Sequence, residues 1–374
     1  GIVPWLKIFN DTLVAVNQGG KRPGAGCAYL EPWHLDFEDF LNLRRNTGDE
    51  RLRCHDMNTA SWIPDLFMKK VQEDGDWYMF CPSDSRDLHE AFGDCFTAVY
   101  EQMVDKAEVG ELKNFRKVKA KELWKKMLKV LFETSHPWVT FKDPSNIRYS
   151  NQHQGTVHSS NLCTEILLHT KPSEYKDGEK IKVGETAVCN LGSVNLKNHL
   201  IKSETGKYSL NKELLANTIK TAIRLLDNVI DLNFYPTKEA RNANMQHRPI
   251  GLGMMATHDV LQLVDIQYDS DKAVKYIDEL TEFFSYHAIL SSSKLAQERG
   301  SYKTYAGSLW DKGKLPIDTY NDLLDFRKKS SKTPRGGKID WSEVRESISK
   351  YGIRNSNTMA IAPTATIGYI NGVE

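Results

Sequence analysis

A thiol, an amide and a carboxylate occupy alternate positions in residues 159–166, which read Ser-Ser-Asn-Leu-Cys-Thr-Glu-Ile. In an extended backbone, side chains two residues apart lie on the same face. The spacing therefore predicts that Asn161, Cys163 and Glu165 share one face of a strand. That face would offer a small substrate a hydrogen-atom or proton donor, an amide and a base. The alternative is an edge strand whose cysteine is only a small buried apolar residue.

A second thiol, Cys189, lies in the strand-like run 187–196. The intervening residues 170–186 are polar and charged, which predicts an exposed hairpin or loop. Two neighbouring strands would bring Cys163 and Cys189 into one cavity. The alternative is that Cys189 is a buried structural cysteine.

The run 363–368, Pro-Thr-Ala-Thr-Ile-Gly, follows an apolar stretch at 357–362 that predicts a strand. If a helix begins within this run, its free backbone N–H groups form an anion site suited to a phosphate or pyrophosphate. The alternative is an ordinary threonine cap at a strand-to-helix turn.

Three weaker patterns accompany these runs. Gly251-Leu252-Gly253 lacks the third glycine of a dinucleotide fingerprint, so we interpret it as a tight turn with close packing.

His153 and His158 flank the central run and raise the possibility of a cysteine–histidine hydrolase. In a strand, however, His158 and Cys163 point to opposite faces because their separation is odd. A metal site through His153, His158 and Cys163 lacks a fourth ligand at familiar spacing.

The first 24 residues predict a helix followed by a glycine-rich loop. Trp5, Phe9, Leu13 and Val16 recur at helical spacing within residues 2–17. Residues 17–24, Asn-Gln-Gly-Gly-Lys-Arg-Pro-Gly, then carry two cations at a flexible tip. The loop is interpreted either as a plain helix stop or as a mobile segment that contacts a phosphate or a base.

Composition limits the classes of function. The chain has 374 residues and a formal net charge of +1, so no global field recruits nucleic acid or an anionic membrane. We find no membrane-spanning run and no signal peptide. The six cysteines are too sparse for a secreted disulfide scaffold, which favours a reducing cytoplasm. Because the chain begins at Gly1 and its first methionine is Met57, we expect a segment of a longer polypeptide.

Periodicity and capping signals predict strands that alternate with long helices. Helices are predicted at 2–17, 37–43, 65–75, 119–134, 211–236, 270–299 and 340–352, the last with Asp340 as its cap. Strands are predicted at 25–30, 77–80, 138–141 and 357–362. This alternation indicates an α/β architecture with a parallel component.

Taken together, these runs resemble the large, catalytic subunit of class I ribonucleotide reductase. The similarity extends nearly end to end, with a looser patch around residues 303–340. The main runs that match the family are Val3-Pro4-Trp5-Leu6-Lys7, Tyr29-Leu30-Glu31-Pro32-Trp33-His34-Leu35, Trp62-Ile63-Pro64-Asp65-Leu66-Phe67-Met68, Ser160-Asn161-Leu162-Cys163-Thr164-Glu165-Ile166, Val188-Cys189-Asn190-Leu191-Gly192-Ser193, His247-Arg248-Pro249-Ile250-Gly251-Leu252-Gly253, Tyr351-Gly352-Ile353-Arg354-Asn355-Ser356 and Pro363-Thr364-Ala365-Thr366.

The resemblance implies a ten-stranded α/β barrel with a central finger loop, of which residues 1–374 would be an incomplete catalytic segment. Cys163 would become a thiyl radical at the loop tip and abstract the ribose 3′ hydrogen. Glu165 would act as the general base for the 3′-hydroxyl, and Asn161 would hydrogen-bond the ribose hydroxyls. Cys189 would be one redox-active thiol of a pair whose other member lies outside the chain. No metal ligand is implied.

The resemblance also implies sites for substrate and for specificity. Residues 1–24 would comprise the dimer-interface helix and the specificity loop. The substrate-binding residues would be Ser159, Ser160, Pro363, Thr364, Ala365, Thr366 and Ile367. The specificity loop would consist of Asn17, Gln18, Gly19, Gly20, Lys21 and Arg22.

Partners follow from the same resemblance. The substrate would be a ribonucleoside diphosphate, and a small subunit that contains a metal would generate the radical. Deoxynucleoside triphosphates and ATP would be effectors, and thioredoxin or glutaredoxin would be the reductant. The large subunit would form a homodimer, and this segment itself would bind no cofactor, nucleic acid or membrane.

The family's ATP-binding region, relay tyrosines and C-terminal tail cysteines have no counterpart in the sequence, so we expect complementary flanking segments and no turnover by the segment alone. Two alternatives stay open. One is a segment of a cobalamin-dependent (class II) reductase, which shares the Asn-x-Cys-x-Glu core. The other is a non-catalytic fragment that takes part only in assembly.

Overall fold

The computed structural model describes residues 1–333 and 335–373, apart from the side chain of Gln18. The chain divides into two compact units. The first unit comprises residues 1–147 with 156–167, and the second comprises residues 148–155 with 168 onward. Within the described residues, no helix combines the length and apolar character needed to cross a membrane.

The first unit contains a parallel sheet and a separate antiparallel pair. The sheet has the order β1-β2-β5, and β3 pairs with β4. Its strands are β1 Cys27–Leu30, β2 Asn58–Ile63, β3 Asp76–Phe80, β4 Phe115–Lys119 and β5 Trp138–Phe141. Its helices are α1 Val3–Ala15, α2 Phe37–Leu41, α3 Asp65–Gln72, α4 Arg86–Glu90, α5 Gly93–Glu108, α6 Ala120–Thr134 and α7 Lys142–Ile147, with 3₁₀ turns at Gln18–Gly20 and Glu50–Leu52.

Aromatic packing forms the core of the first unit. The rings of Trp77 and Tyr100 are stacked with centroids 4.4 Å apart, and both side chains are almost completely buried. Helix α6 adds Leu123, Met127 and Val130 to this core. Their spacing of four and three residues is that of one helix face, which is why the periodicity of this segment predicts a helix.

A buried ion pair joins the residue that follows β1 to the first residue of α7. The Nζ of Lys142, which is fully buried, lies 2.9 Å from both carboxylate oxygens of Glu31. The same ammonium donates to the carbonyl oxygens of Leu88 and His89, each at 2.9 Å. Trp33 Nε1 donates to Glu31 Oε2 at 2.7 Å. Every polar atom of the pair thus has a partner, as a buried charge requires.

The second unit is built around long helices that cover short sheets. Its strands are β6 Glu174–Lys176, β7 Glu179–Lys182, β8 Asn190–Asn195, β9 Leu200–Lys202, β10 Tyr208–Leu210 and β11 Ile250–Met255. Its helices are α8 Lys212–Leu232, α9 Lys238–His247, α10 Thr257–Leu263, α11 Asp271–Arg299, α12 Pro316–Phe326, α13 Ser342–Tyr351 and α14 Ala365–Asn371, with a 3₁₀ turn at Leu196–His199.

Side-chain caps begin the two longest helices of this unit. Asn211 Oδ1 accepts from the N–H of Leu214 at the start of α8, and Ser270 Oγ accepts from Ala273 at the start of α11. Both caps satisfy N–H groups that have no partner within the helix. Asp340 was predicted to cap the last of the predicted helices, but α13 starts only at Ser342. Asp340 instead precedes its N-cap residue and accepts from the N–H of Ser342 at 3.0 Å.

Strands β8 and β11 pair in parallel from Asn190↔Ile250 to Asn195↔Met255. Met359 adds a parallel bridge to Leu252 on the other edge of β11. The strand predicted at 357–362 is therefore reduced to this bridge and its neighbouring hydrogen bonds. The hairpin predicted between the two thiol-bearing runs is confirmed by the antiparallel pair β6–β7.

The run 251–253 lies within β11, so the predicted tight turn is wrong. The predicted close packing is confirmed, because a Cβ on Gly253 would overlap the backbone carbonyl oxygen of Ala360. Gly251 and Gly253 pair with Leu191 and Ser193 of β8. The face of the sheet that carries these residues is opposite to the apolar face packed against α8 and α11.

We expect Gly253→Ala to lower the free energy of unfolding by about 1–3 kcal/mol, because a backbone oxygen cannot move aside by changing rotamer. Gly192→Ala in the neighbouring strand is the matched control. Its added Cβ would lie 3.6 Å from Leu226, an ordinary contact, so its stability should stay the same or rise by up to about 1 kcal/mol. Urea denaturation of both variants measures the difference. Equal stabilities would contradict the close packing at Gly253.

Candidate active-site loop

Residues 159–166 form a loop with a tight turn, so the predicted strand is wrong. The N–H of Thr164 donates to the carbonyl oxygen of Asn161 at 3.2 Å. The Asn161 side chain accepts from the N–H of Ile166 at 3.1 Å, and Ser160 Oγ donates to the Ile166 carbonyl. These side-chain bonds replace the ladder bonds of a strand. Because this run is a loop, it cannot be a strand neighbouring the Cys189 run, and β8 instead pairs with β11.

Thr164 adopts a positive φ of 65° next to Cys163. A β-branched residue rarely occupies this left-handed region, and such strain costs about 1–3 kcal/mol. The turn leaves Cys163 exposed at its tip. The carboxamide oxygen of Asn161 is used within the loop. Without a strand, the spacing of two residues no longer places Asn161, Cys163 and Glu165 on one face.

The acid–base properties of the tip favour an intact thiol. Burial and the neighbouring Glu165 carboxylate raise the pKa of Cys163, and the guanidinium of Arg22 only partly opposes them. A raised pKa disfavours the thiolate on which a cysteine nucleophile depends. Cys163 therefore lacks the lowered pKa that favours a cysteine nucleophile.

Glu165 has an unpaired acceptor beside this thiol. Its Oε2 is buried and has no hydrogen-bond partner among the described residues. A buried carboxylate oxygen without a donor is costly in a folded protein and calls for an explanation. A ligand hydroxyl would supply the missing donor. This observation is consistent with a base that binds its substrate at Oε2.

Tyr29 contacts this loop, although no role was predicted for it from the sequence. Its O–H donates to the Asn161 carbonyl at 3.1 Å, and its ring packs edge-on against Trp62 with centroids 5.9 Å apart. Burial raises the pKa of Tyr29, and the nearby Cys27, Glu165 and Cys163 raise it further. Tyr29 follows Cys27 by two residues in β1. Side chains two residues apart in a strand face the same side of the sheet, so this spacing was the only pattern in the sequence that related Tyr29 to Cys27.

The loop 17–24 also approaches the thiol. Gly19 and Gly20 have φ values of 69° and 75°, and Asn17 Oδ1 accepts from the N–H of Gly20 at 3.3 Å. Lys21 and Arg22 follow as exposed cations. The guanidinium of Arg22 acts to lower the pKa of Cys163, against the larger raising effects of burial and Glu165. The predicted role of Gln18 concerns a side chain outside the described part of the structure.

Cys189 and the threonine-rich turn lie at opposite ends of the parallel segments of the second unit. Cys189 is half-buried and immediately precedes β8. The turn follows the bridge at Met359 and leads into α14, confirming a helix start. Thr364 makes no side-chain cap, and the N–H groups of Ala365, Thr366 and Ile367 at the start of the helix have no intrahelical acceptor. Anion binding by these amides stays a prediction.

A buried histidine network lies elsewhere in the second unit and was missed by sequence reasoning. His169 Nε2 and His247 Nε2 lie 2.8 and 2.7 Å from the same oxygen, Oε2 of Glu185. Burial raises the pKa of Glu185, but the hydrogen bonds from both histidines outweigh burial and hold the pKa well below its usual range. The other ring nitrogens contact Tyr149 and Thr304. The wide sequence separation of these residues left no local motif to find.

Metal-ligand groupings in the described residues differ from the one considered from sequence. They are His89–Glu90–His158 and His169–Glu185–His247, and neither contains His153 or Cys163. His153 Nε2 instead contacts the Thr304 carbonyl at 2.8 Å.

Comparison with known proteins gives the family. A family model described as the ribonucleotide reductase barrel domain matches residues 1–374. The chain is 54% identical to the ribonucleoside-diphosphate reductase subunit alpha of Chlamydia pneumoniae, covering 100% of this chain and 34% of that protein. It is 39% identical to the Helicobacter pylori (strain J99) subunit alpha, covering 51% of that protein, and 40% identical to the Neurospora crassa large chain, covering 37%.

The chain thus spans about a third to a half of the length of these curated relatives, while each alignment covers all of it. The match of the family model over every residue agrees with the mixed α/β architecture and its parallel strands. The chain belongs to the ribonucleotide reductase barrel-domain family.

Proposed function

We propose that this chain is the catalytic-barrel segment of a ribonucleoside-diphosphate reductase large subunit and carries its radical thiol, Cys163. Family membership and the printed names of the relatives support the reaction class. The observation that carries the site is the loop tip itself. There an exposed thiol of raised pKa stands beside Glu165, whose buried Oε2 has no partner among the described residues.

In the proposed reaction, a thiyl radical on Cys163 takes the ribose 3′ hydrogen, which breaks a C–H bond and forms an S–H bond. Glu165 Oε2 accepts the 3′-hydroxyl proton, and Asn161 hydrogen-bonds the ribose hydroxyls. The 2′-hydroxyl takes a proton from one of two thiols, of which Cys189 is one, and leaves as water. The other thiol hydrogen goes to the 2′ carbon, the two thiols give up two electrons in all and become a disulfide, and Glu165 returns its proton to the 3′ oxygen. Return of the hydrogen atom from Cys163 to the 3′ carbon restores the thiyl radical.

Surrounding residues bind and select the substrate in this proposal. Ser159 and Ser160 line the loop, and the turn of Pro363, Thr364, Ala365, Thr366 and Ile367 holds the diphosphate through its free amides. Loop residues 17–22 transmit the identity of a deoxynucleotide effector to the choice of base. The exposed apolar side chains of α1, including Trp5 and Ile8, form the homodimer face.

The proposed reaction requires partners. A small subunit that contains a metal supplies the radical, and thioredoxin or glutaredoxin reduces the disulfide. Segments that flank this chain in a whole large subunit supply the second thiol of the pair and the radical relay. The isolated 374 residues are therefore expected not to turn over ribonucleotides.

A chimera tests the proposal. The Chlamydia pneumoniae subunit alpha offers a host because it aligns with every residue of this chain. Replacing its aligned segment with these residues should give an enzyme that reduces CDP to dCDP when mixed with the host's small subunit. If a folded chimera makes no dCDP while the host subunit does, the chain fits a non-catalytic assembly role and the proposal fails.

Within the chimera, we expect Glu165→Gln to lower kcat by about 10²–10⁴-fold, because the amide cannot accept the 3′-hydroxyl proton. Glu179→Gln in the exposed hairpin is the matched control and should leave kcat unchanged. Steady-state rates of dCDP formation measure both. A Glu165→Gln rate within about threefold of the unsubstituted chimera, well short of the loss expected for a general base, would exclude Glu165 as that base.

A further inference from the structure

The loop of residues 159–166 is closed by hydrogen bonds among its own atoms. The Asn161 carbonyl oxygen accepts from the N–H of Thr164 at 3.2 Å, and the Asn161 side chain accepts from the N–H of Ile166 at 3.1 Å. Ser160 Oγ donates to the Ile166 carbonyl oxygen. These bonds set the shape of the turn around Cys163, but they do not set the position of the turn relative to the neighbouring sheet.

Tyr29 ties this loop to the sheet. Its O–H donates to the Asn161 carbonyl oxygen at 3.1 Å, across 132 residues of sequence. The oxygen that closes the turn therefore accepts from two donors, the N–H of Thr164 within the loop and the hydroxyl of Tyr29 on β1. Cys163 lies two residues after Asn161, so the tie acts close to the thiol.

The sheet holds Tyr29 itself in place. Tyr29 pairs with Ala60 in the parallel register of β1 and β2. Its ring packs edge-on against Trp62, with an angle of 81° between the ring planes, and the Trp62 side chain is almost completely buried. Groups carried by strands are placed more precisely than groups carried by loops. The hydroxyl of Tyr29 can therefore give the loop a fixed position that the loop lacks by itself.

The hydroxyl also remains a hydrogen-bond donor over a wide range of pH. Burial raises the pKa of Tyr29, nearby Cys27, Glu165 and Cys163 raise it further, and Ser160 only partly opposes them. A phenol whose pKa lies above its usual value stays protonated at neutral and mildly alkaline pH. The hydrogen bond to the Asn161 carbonyl is therefore maintained throughout that range.

We propose that Tyr29 is a positioning residue for the reductase reaction, because its hydroxyl fixes the turn that carries Cys163 and Glu165 relative to the sheet of β1 and β2. The catalytic consequence rests on the proposed function, whereas the hold on the loop is a property of the chain alone. Transfer of a hydrogen atom to Cys163 depends on the distance between the reacting atoms. A displacement of about 1 Å in an active site can lower the rate by about 10²-fold.

Hydrogen–deuterium exchange of the 374-residue chain tests the hold on the loop. Tyr29→Phe removes the hydroxyl and keeps the ring that packs on Trp62. We expect the amides of residues 159–166 to exchange about 2–10-fold faster in this variant, as loss of one hydrogen bond allows. Tyr235→Phe is the matched control, because the Tyr235 O–H donates to the Ile230 carbonyl oxygen at 2.7 Å in the second unit. It should leave exchange of residues 159–166 unchanged.

The chimera tests the catalytic consequence. We expect Tyr29→Phe to lower kcat for dCDP formation by about 10–100-fold and to change the KM for CDP by less than about threefold, since the hydroxyl contacts the loop and not the diphosphate turn. Each rate is divided by the number of CDP-binding sites found by equilibrium dialysis. A merely structural role would lower the number of sites and leave kcat per site unchanged. Tyr235→Phe should keep both kcat and KM.

Unchanged exchange of residues 159–166 in a folded Tyr29→Phe chain would overturn the proposal, whatever the activity. Circular dichroism verifies the fold. Faster exchange combined with an unchanged kcat per site in an active chimera would also overturn it. If the unsubstituted chimera makes no dCDP, the proposed function fails and the catalytic role of Tyr29 fails with it, while the exchange comparison still shows whether Tyr29 holds the loop.

Discussion

Cys163→Ser in the chimeric reductase is expected to reduce dCDP formation by at least about 10³–10⁴-fold, to below detection. Serine preserves the size and polarity of the side chain but has a much stronger O–H bond, so it cannot hold the radical under the same conditions. Removing a residue that forms the reactive centre causes losses of this order or greater in enzymes. The exposed position of Cys163 at the loop tip makes a large effect on folding unexpected.

Cys95→Ser is the matched control because Cys95 is also an exposed thiol and lies on the separate helix α5. The control should retain the rate of the unsubstituted chimera. Substrate binding by the Cys163→Ser variant should persist, which places its defect in chemistry. If the Cys163→Ser chimera keeps more than a few per cent of the rate of dCDP formation, Cys163 is not the radical thiol.

The second large effect concerns stability. Lys142→Met should lower the free energy of unfolding by about 3–5 kcal/mol, because it leaves the carboxylate of Glu31 buried without its cation. Glu31 is only 5% exposed. The methionine keeps most of the length of the side chain, so the loss reports charge pairing more than a cavity. Urea denaturation of the 374-residue chain measures the change.

Lys126→Met is the matched control for this pair. Lys126 lies 2.7 Å from Glu38, but its side chain is 38% exposed. Water screens such a pair, and its loss should cost no more than about 1 kcal/mol. If both lysine variants lose the same stability, the buried pair contributes no more than a surface pair.

Sequence reasoning succeeded where one local pattern determines structure. The helices predicted at 119–134, 211–236 and 270–299 are confirmed as α6, α8 and α11. The strand predicted at residues 159–166 from side chains at alternate positions is wrong. There the Asn161 side chain binds the backbone of Ile166, and Thr164 takes a left-handed conformation, and neither event appears in a hydrophobic pattern.

The other residues that sequence reasoning did not identify are brought together by contacts between distant parts of the chain. Tyr29 reaches the Asn161 carbonyl across 132 residues of sequence. His169 and His247 converge on Glu185 from separate segments, without a motif. The roles proposed for Cys163 and Glu165 come from family resemblance. The structure adds that Cys163 is exposed at the loop tip and that the buried Oε2 of Glu165 has no hydrogen-bond partner among the described residues.

The most direct test of the central proposal asks whether the chimera breaks the ribose 3′ C–H bond. Unlabelled CDP and CDP deuterated at the 3′ carbon would compete for the enzyme, and mass spectrometry of the remaining substrate would follow the reaction. Abstraction by Cys163 predicts that deuterium accumulates in the unreacted CDP, because the heavier isotope transfers more slowly. Formation of dCDP without any such enrichment, across the active pH range, would contradict hydrogen abstraction by Cys163.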